Sequence, residues 1–360
     1  MKKRSQISSP LGISIVGIIL LLTVIGSVFV FEASVAESLT TFDDRYYLFK
    51  QHLVGLVIGW IAFFIGLLFP SKFWIKVSPI TIITSLVLMV LVFIPGIGLN
   101  LNGASRWLSI AGLTLQPVEI LKFGLITYLA AWLPKQKDLL PFLIVIGLPA
   151  ILLILQPDLG SLLVVFSVSV SMYFIAGGNL KQLGILAGIS LPLLAAAIFI
   201  SPYRMRRITT FFDPESDPLG ASFHIRQIIL ALGRGGWFGQ GIGNSTQRFS
   251  YIPEASTDSI FAIVAEELGF IGSFFIIMLF AVLLLLSYKL VKNIEAEPEV
   301  KLLGTGILIW ITVQTLLNLS AVVALVPLTG IPLPFFSYGR TALIMLLFAS
   351  GVLLKTGKKT

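Results

Sequence analysis

Six arginines, Arg204, Arg206, Arg207, Arg226, Arg234 and Arg248, fall in one polar segment, 202–259. Three acids, Asp258, Glu266 and Glu267, lie at its close. Guanidinium forks bind phosphate groups bidentately. A carboxylate set among them can act as a general base, so the combination suits glycosyl or phosphoryl transfer. Taken alone, Asp258 just ahead of an apolar run reads as a helix cap or dipole partner. The functional reading rests on the convergence.

Further polar groups interrupt otherwise apolar runs. Glu119 and Lys122 are three residues apart, so they share a helix face and can pair. They read either as a structural ion pair or as a cation kept to meet an anionic substrate group. Asp158, in Gln156-Pro-Asp-Leu-Gly160, precedes an apolar run as an N-cap does. Arg340 follows a segment with three prolines in 327–334, where no regular helix can form. It can snorkel outward or line a wet cavity. Between Gly233 and Asn244 stand six glycines, but neither the dinucleotide nor the Walker spacing is present and no strand precedes them. That run reads as a turn-rich loop, with a phosphate role kept open by Arg234. The apolar positions Ile225, Ile228, Ile229 and Leu232 share one face and predict a short helix lying on a membrane surface.

These groups need a frame, and composition supplies it. Charged residues are 12% of the 360 and apolar residues 56%, with a mean hydropathy of +0.98. An ordinary soluble domain carries roughly 25% charged residues. A soluble enzyme, a disordered chain and a nucleic-acid-binding domain are all excluded. With no cysteine there is no disulfide framework or thiolate site, and His52 and His224 are too few for a histidine metal site. A spanning helix needs about 20 apolar residues. Ten candidates follow: 11–31, 50–69, 74–95, 117–133, 139–155, 159–176, 180–201, 260–288, 302–326 and 336–354. The first has the basic start of a signal peptide and a small-residue Ser34-Val-Ala36 stretch, yet its apolar run is long and nine spans follow, so it reads as an uncleaved helix.

Lys and Arg orient the bundle. With the N-terminus inside, 14 of the 25 basic residues fall in cytoplasmic segments and only Arg45, Lys50 and Arg106 in short outer ones. The expected architecture is an all-α polytopic membrane protein of about ten helices, both termini cytoplasmic. It is a single domain, 1–360, with one large extracytoplasmic loop, 202–259.

Seven segments in order then resemble the SEDS family of bacterial membrane proteins, the family of FtsW, RodA and SpoVE. They are Asn102-Gly-Ala-Ser-Arg106-Trp, Gln116-Pro-Val-Glu119-x-x-Lys122, Gln156-Pro-Asp158-Leu-Gly160, Arg206-Arg207-Ile-Thr with Asp213-Pro and Asp217-Pro-x-Gly220, Gly233-Arg234-Gly-Gly onward to Asn244-Ser, Pro253-Glu-Ala-x-Thr-Asp258, and Pro332-Leu-Pro-x-x-Ser337-Tyr-Gly339. The loop sequences lean towards the FtsW branch. The resemblance implies a fold similar to GT-C-type membrane glycosyltransferases. It also implies a peptidoglycan glycosyltransferase that polymerises lipid II at the outer face of the cytoplasmic membrane, in cell division or shape maintenance, and releases undecaprenyl diphosphate.

On that resemblance Asp258 is the general base, Lys122 binds diphosphate or balances charge, and Glu119 orients Lys122. Arg106, Asp158, Arg206, Arg207, Arg234, Glu267, Ser337 and Arg340 are the expected substrate contacts. The implied partners are lipid II and the growing lipid-linked glycan, a class B penicillin-binding protein, other division or elongation proteins and membrane lipids, with no nucleic acid. No protein-bound metal is expected, and a divalent cation such as Mg2+ stays open. This chain departs from the family pattern at Ser256, where His is usual, at Ser259, where Phe is usual, and at Arg340 and Thr341, where Gly and Ser are usual. Two other functions stay open: a lipid II flippase, and a non-catalytic scaffold for the penicillin-binding protein.

Overall fold

The first helix starts where Ser9 caps it, its hydroxyl accepting from Gly12 N at 3.1 Å. It ends where Asp43 turns into the left-handed region at φ 54°. This computed structural model describes residues 9–101, 104–110, 113–213, 215, 222–245 and 255–357. Arg248, Asn102, Gly103, Asp217, Gly220, Pro253, Glu254 and the terminal basic residues Lys2, Lys3, Arg4, Lys358 and Lys359 lie outside them.

The elements in order are α1 (Pro10–Phe42), α2 (Tyr47–Leu68), α3 (Ser71–Lys76), α4 (Ser78–Leu91), β1 (Gly98–Leu101), β2 (Ala104–Ile110), β3 (Leu113–Leu115), α5 (Pro117–Trp132), α6 (Leu139–Leu155), α7 (Leu159–Ile175), α8 (Leu180–Ile200), α9 (Pro202–Phe212), α10 (Phe223–Gly235), α11 (Ile260–Lys292), α12 (Pro298–Val322) and α13 (Arg340–Thr356). A helix occupies each of the ten expected spans. Five of them, α1, α2, α8, α11 and α12, are long and apolar enough to cross a membrane, and α4, α6 and α7 are shorter apolar helices. The charged α5 and α13 have 16 and 17 residues, and most of their side chains are buried among the other helices. Helices so enclosed need not match the full hydrocarbon thickness. The fold is that of a multi-pass helical membrane protein.

Packing of α2 on α13 is set by small residues. The buried stripe of α2 runs His52, Gly55, Gly59, Phe63, Gly66. A Cβ on Gly66 would lie 2.5 Å from Phe348 O, and one on Gly351 would lie 2.1 Å from Phe63 O. The backbones meet directly, as in small-residue interfaces between membrane helices. This contact fixes the N-terminus of α13, and so Arg340, against α2.

Three features depart from the expected architecture. Between α4 and α5 the chain forms a three-stranded antiparallel sheet, ordered β1-β2-β3, with Leu99 opposite Trp107 and Leu108 opposite Leu115. The sequence predicts only a short outer segment there, since three short strands leave little periodicity to detect. The long polar segment also contains an additional amphipathic helix, α9. Finally, α10 does not present its predicted face to a membrane. Its buried positions are Ile225, Ile228, Ala231 and Gly235, packed on α11, while Ile229 is 44% exposed.

The glycine run after α10 is explained by α11, which breaks at Gly269 (φ 66°, ψ −166°). In an unbroken helix Phe270 N and Ile271 N would bond Glu266 O and Glu267 O. Here they donate to Gly236 O at 2.8 Å and Trp237 O at 3.2 Å. Gln240 N and Gly241 N take over the two freed carbonyls, both at 3.0 Å. Two helical bonds are replaced by four bonds to the loop. A Cβ on Gly239, which has φ 80°, would lie 2.1 Å from Glu267 O.

Gly239→Ala is therefore expected to lower the thermal stability of the detergent-solubilised protein. Its backbone strain alone amounts to about 1–3 kcal/mol. Gly233→Ala, where a Cβ meets nothing within 4 Å, is the matched control and is expected to be near neutral or stabilising. Equal melting temperatures for the two variants would refute the close approach.

Candidate active site

A cavity of about 320 Å³ opens among β2, β3, the starts of α5 and α7, α9, and the irregular segment between α12 and α13. Four cations line it: Arg106, Lys122, Arg207 and Arg340. Glu119 is the carboxylate among its lining residues, and Asp258 borders it. The balance of charge favours an anion.

Pro117 starts α5 without needing a backbone donor, which places Glu119 and Lys122 in its first two turns facing inward. Lys122 Nζ donates to Glu119 Oε1 at 2.7 Å and to Gln314 Oε1 at 3.2 Å, and sits 5.6 Å from the centre of the Trp310 ring. Trp310 Nε1 also donates to Gln314 Oε1, at 2.8 Å, and Gln314 Nε2 donates to Pro332 O at 3.1 Å. Glu119 and Lys122 are only 1% and 3% exposed. The second Glu119 oxygen is buried with no hydrogen-bond partner.

Asp258 is 8% exposed, in the turn that leads into α11. Its backbone is held by Asn318 of α12, whose Nδ2 donates to Asp258 O at 2.7 Å and to Ile331 O at 2.8 Å. Tyr338 N donates to Ser256 O at 2.8 Å, closing the same junction. The two carboxylate oxygens face different groups. Ser259 Oγ donates to Oδ1 at 3.3 Å. On the other side lies Gly330: a Cβ there would be 3.7 Å from an Arg207 guanidinium nitrogen and 3.9 Å from Asp258 Oδ2. Arg207 is steadied by donating to Leu328 O at 2.9 Å. Burial pushes the Asp258 carboxyl up to about 6, with Arg207, Ser259 and Thr257 pulling in the opposite direction.

Arg106, on β2, donates Nε to Gln156 O at 3.1 Å and Nη2 to Pro157 O, tying the sheet to the α6–α7 turn. Arg340 packs its stem over Gly55 and donates to Gln51 Oε1 at 2.8 Å and Thr114 Oγ1 at 3.1 Å. Five other expected contacts stand outside the cavity. Asp158 caps α7, accepting from Ser161 N at 3.0 Å and Ser161 Oγ at 2.8 Å. Ser337 Oγ accepts from Leu333 N at 2.9 Å within its own turn. Arg206 is exposed on α9. Arg234 is half exposed, 4.0 Å from Glu266. Glu267 is buried where the glycine run joins α11. Among the described residues, no three His, Asp or Glu side chains are grouped to hold a metal ion.

Sequence reading passed over Gln314, Asn318 and Gly330. Gln314 and Asn318 are four apart on one face of an apolar span, and a buried amide pair there was the available signal. Nothing local marked Gly330, whose role comes from its backbone φ of 71° and its place between Arg207 and Asp258.

A buried carboxylate and four cations around a polar cavity in a helical membrane body define a class: multi-pass membrane proteins with a site whose charge suits an anion. The family follows from comparison. Residues 13–360 match the FtsW/RodA/SpoVE family model, described as cell cycle protein, and the chain belongs to that family. It is 37% identical to stage V sporulation protein E of Bacillus subtilis over 351 residues, covering 95% of each chain. It is also 37% identical, over 348 residues and 94% of each chain, to the protein named "Probable peptidoglycan glycosyltransferase FtsW" in Geobacter sp. strain M18. Among solved structures, a chain of a peptidoglycan synthase complex that coordinates polymerization and crosslinking superposes with a TM-score of 0.77 at 25% identity, covering 95% of this chain and 96% of that one.

Proposed function

We propose that this protein polymerises lipid II with Asp258 as general base. Family membership and the names of its relatives make it a peptidoglycan glycosyltransferase. The observation that carries the mechanism is Asp258 Oδ2 facing Arg207 across Gly330 at the edge of a cationic cavity. The 4-hydroxyl of the acceptor sugar attacks the anomeric carbon of the lipid-linked donor. Asp258 takes the hydroxyl proton and undecaprenyl diphosphate leaves with inversion. Arg207, Arg106 and Arg340 neutralise the charge that grows on the leaving diphosphate, with Lys122 behind them. Lys122 is held for that role by Glu119 and Gln314.

The lipid diphosphate is already activated, so no nucleotide is needed. A divalent cation such as Mg2+ would arrive with the diphosphate. The cavity lies at the helix ends opposite Lys72, Lys76, Lys135, Lys137 and Lys181, and the bias of Lys and Arg towards cytoplasmic segments supports an extracytoplasmic site with both termini inside. The solved synthase complex supports a class B penicillin-binding protein as the working partner.

The direct test is purified protein in liposomes with labelled lipid II and its cognate class B partner. Glycan ladders are expected on a gel. No ladders from a folded, partner-bound protein would favour lipid II transport or scaffolding instead. The pH profile gives a second test. Because burial raises the Asp258 carboxyl to about 6, the ionised base is present above that pH and lost below it. The rate is expected to fall tenfold per pH unit below about 6, against a limb near the ordinary aspartate value of about 4 if the carboxyl were solvated.

A further inference from the structure

Among the described residues, the buried side chain of α9 is a charged one, Arg204, only 6% exposed. It stands outside the cavity, and the glycosyl-transfer step does not use it. Its Nη1 donates to Ala197 O at 2.9 Å, at the end of α8, and its Nη2 donates to Ile154 O at 2.5 Å, at the end of α6. In unbroken helices Ser201 N and Asp158 N would take those two carbonyls. Here Ser201 N donates to Ile198 O at 3.2 Å and Asp158 N to Leu153 O at 2.9 Å, which leaves both carbonyls to the guanidinium. Arg106, from β2, takes Gln156 O and Pro157 O of the same turn. Two arginines from separate elements thus abut on one helix C-terminus, where a cation is favoured. Arg204 Nε is buried without a hydrogen-bond partner among the described residues. An apolar residue would not carry that cost, so the fork itself is the feature to explain.

We propose that Arg204 is a positioning residue for glycosyl transfer: it clamps the first turn of α9 to the ends of α6 and α8 and so aims Arg207 at Asp258 and the leaving diphosphate. This rests on the polymerase reading with Asp258 as base. Arg207 is three residues further on and shares the face of Arg204. From there it donates to Leu328 O and meets Asp258 Oδ2 across Gly330. Apolar packing does little to fix how α9 is turned about its axis. α8, beside it, is exposed along most of its length, and the other described side chains of α9 are half-buried or exposed. With the fork gone, two carbonyls lose their donor and α9 can turn, carrying Arg207 with it.

The first test reads geometry. The chain has no cysteine, so spin labels can be placed at Phe212→Cys on α9 and Leu325→Cys beyond α12, both exposed. The distance between labels is expected to be narrowly distributed with Arg204 present and displaced or broadened in Arg204→Gln. Arg204→Lys keeps the charge but not the fork, and is expected to fall in between. An unaltered distance in Arg204→Gln would overturn the proposal, whether or not the protein makes glycan.

The second test is polymerisation of labelled lipid II by the full chain with its partner. Arg204→Gln is expected to lower kcat about 10²-fold, as misplacement of a group by a remote change does. The lipid II concentration at half-maximal rate should stay in place. Added to Arg207→Gln, it should cost far less than the product of the two separate losses. The acid limb of the rate gives a readout that packing alone would not move. Arg207 holds the Asp258 carboxyl down, so the limb should rise above pH 6 in both single variants. Around that carboxyl stand Arg207 from α9, His224 from α10 behind Ser259, the neutral Asn318 amide of α12 at its backbone, and Gly330 ahead of α13. His224 is intact in every variant, so a shift common to both reports Arg207. Losses that multiply, or a limb that moves in Arg207→Gln and stays in Arg204→Gln, would overturn the proposal. Asp258→Asn, assayed alongside, separates the two claims. If it is inactive while the Arg204 and Arg207 losses multiply, only the positioning role fails. If it is active, the assignment of the base fails, and the label distance and the coupling of the two arginines still judge Arg204.

Discussion

Asp258→Asn is expected to reduce lipid II polymerisation by about 10²–10⁴-fold without lowering the thermal stability of the protein. The two halves of this expectation have separate causes. Asn keeps the size of the side chain and an acceptor for Ser259, and the backbone carbonyl held by Asn318 is untouched. What it loses is the ability to take a proton. Stability runs the other way. A carboxyl whose value in the folded protein is raised, here to about 6, favours its protonated form there. Its stabilising share is fully present below the unfolded value and is lost as pH rises through about 6. At neutral pH the ionised Asp258 therefore works against folding, as strained or buried functional groups commonly do. An inactive variant with an unchanged or raised melting temperature, still able to bind its partner, separates chemistry from collapse. Substantial polymerisation by it would remove Asp258 from the mechanism.

How much of this was legible in the sequence depended on the range of each cause. The spans follow from runs of apolar residues, a local property, and a helix occupies all ten positions. Glu119 and Lys122 were legible because helical spacing alone puts them on one face, and they meet at 2.7 Å. The cationic character of the cavity was legible only in bulk. Arg106, Arg207 and Arg340 reach it from β2, α9 and α13, whereas Arg206, one residue from Arg207, points elsewhere. A helical step of about 100° separates adjacent side chains, but the face that a loop helix turns inward is set by tertiary packing. The glycine run shows the same limit. Its composition suggested a turn or a phosphate cradle. Its cause lies in Gly269, across the Arg248 segment and on another element, where a helix break frees two carbonyls for the loop to bond. Ser259 read as a departure from the family pattern, and only the approach of α10 gives its hydroxyl a histidine partner.

Lys122→Met carries the largest expected cost to stability. Removing the ammonium leaves Glu119 in a site where both partners are 1–3% exposed, with one oxygen already lacking a hydrogen bond. Gln314 keeps Trp310 as a donor, so the orphan is the carboxylate. Breaking a buried pair from one side costs about 3–5 kcal/mol because an uncompensated charge stays in the interior. Met preserves the length of the stem and its contact with the Trp310 face, so packing loss is a small part of the effect. Replacing both members, Glu119→Gln with Lys122→Met, removes the stranded charge, and such exchanges are often neutral or stabilising. The double variant is expected to regain most of the melting temperature lost by the single one. Its polymerisation should remain low, since the cation proposed to support the leaving diphosphate is gone. Thermal unfolding in detergent and glycan ladders on the same preparations check both statements. A double variant that is both stable and active would make the pair a structural tie and leave the leaving group to the three arginines. A single variant as stable as wild type would mean that water reaches Glu119 through the cavity it lines.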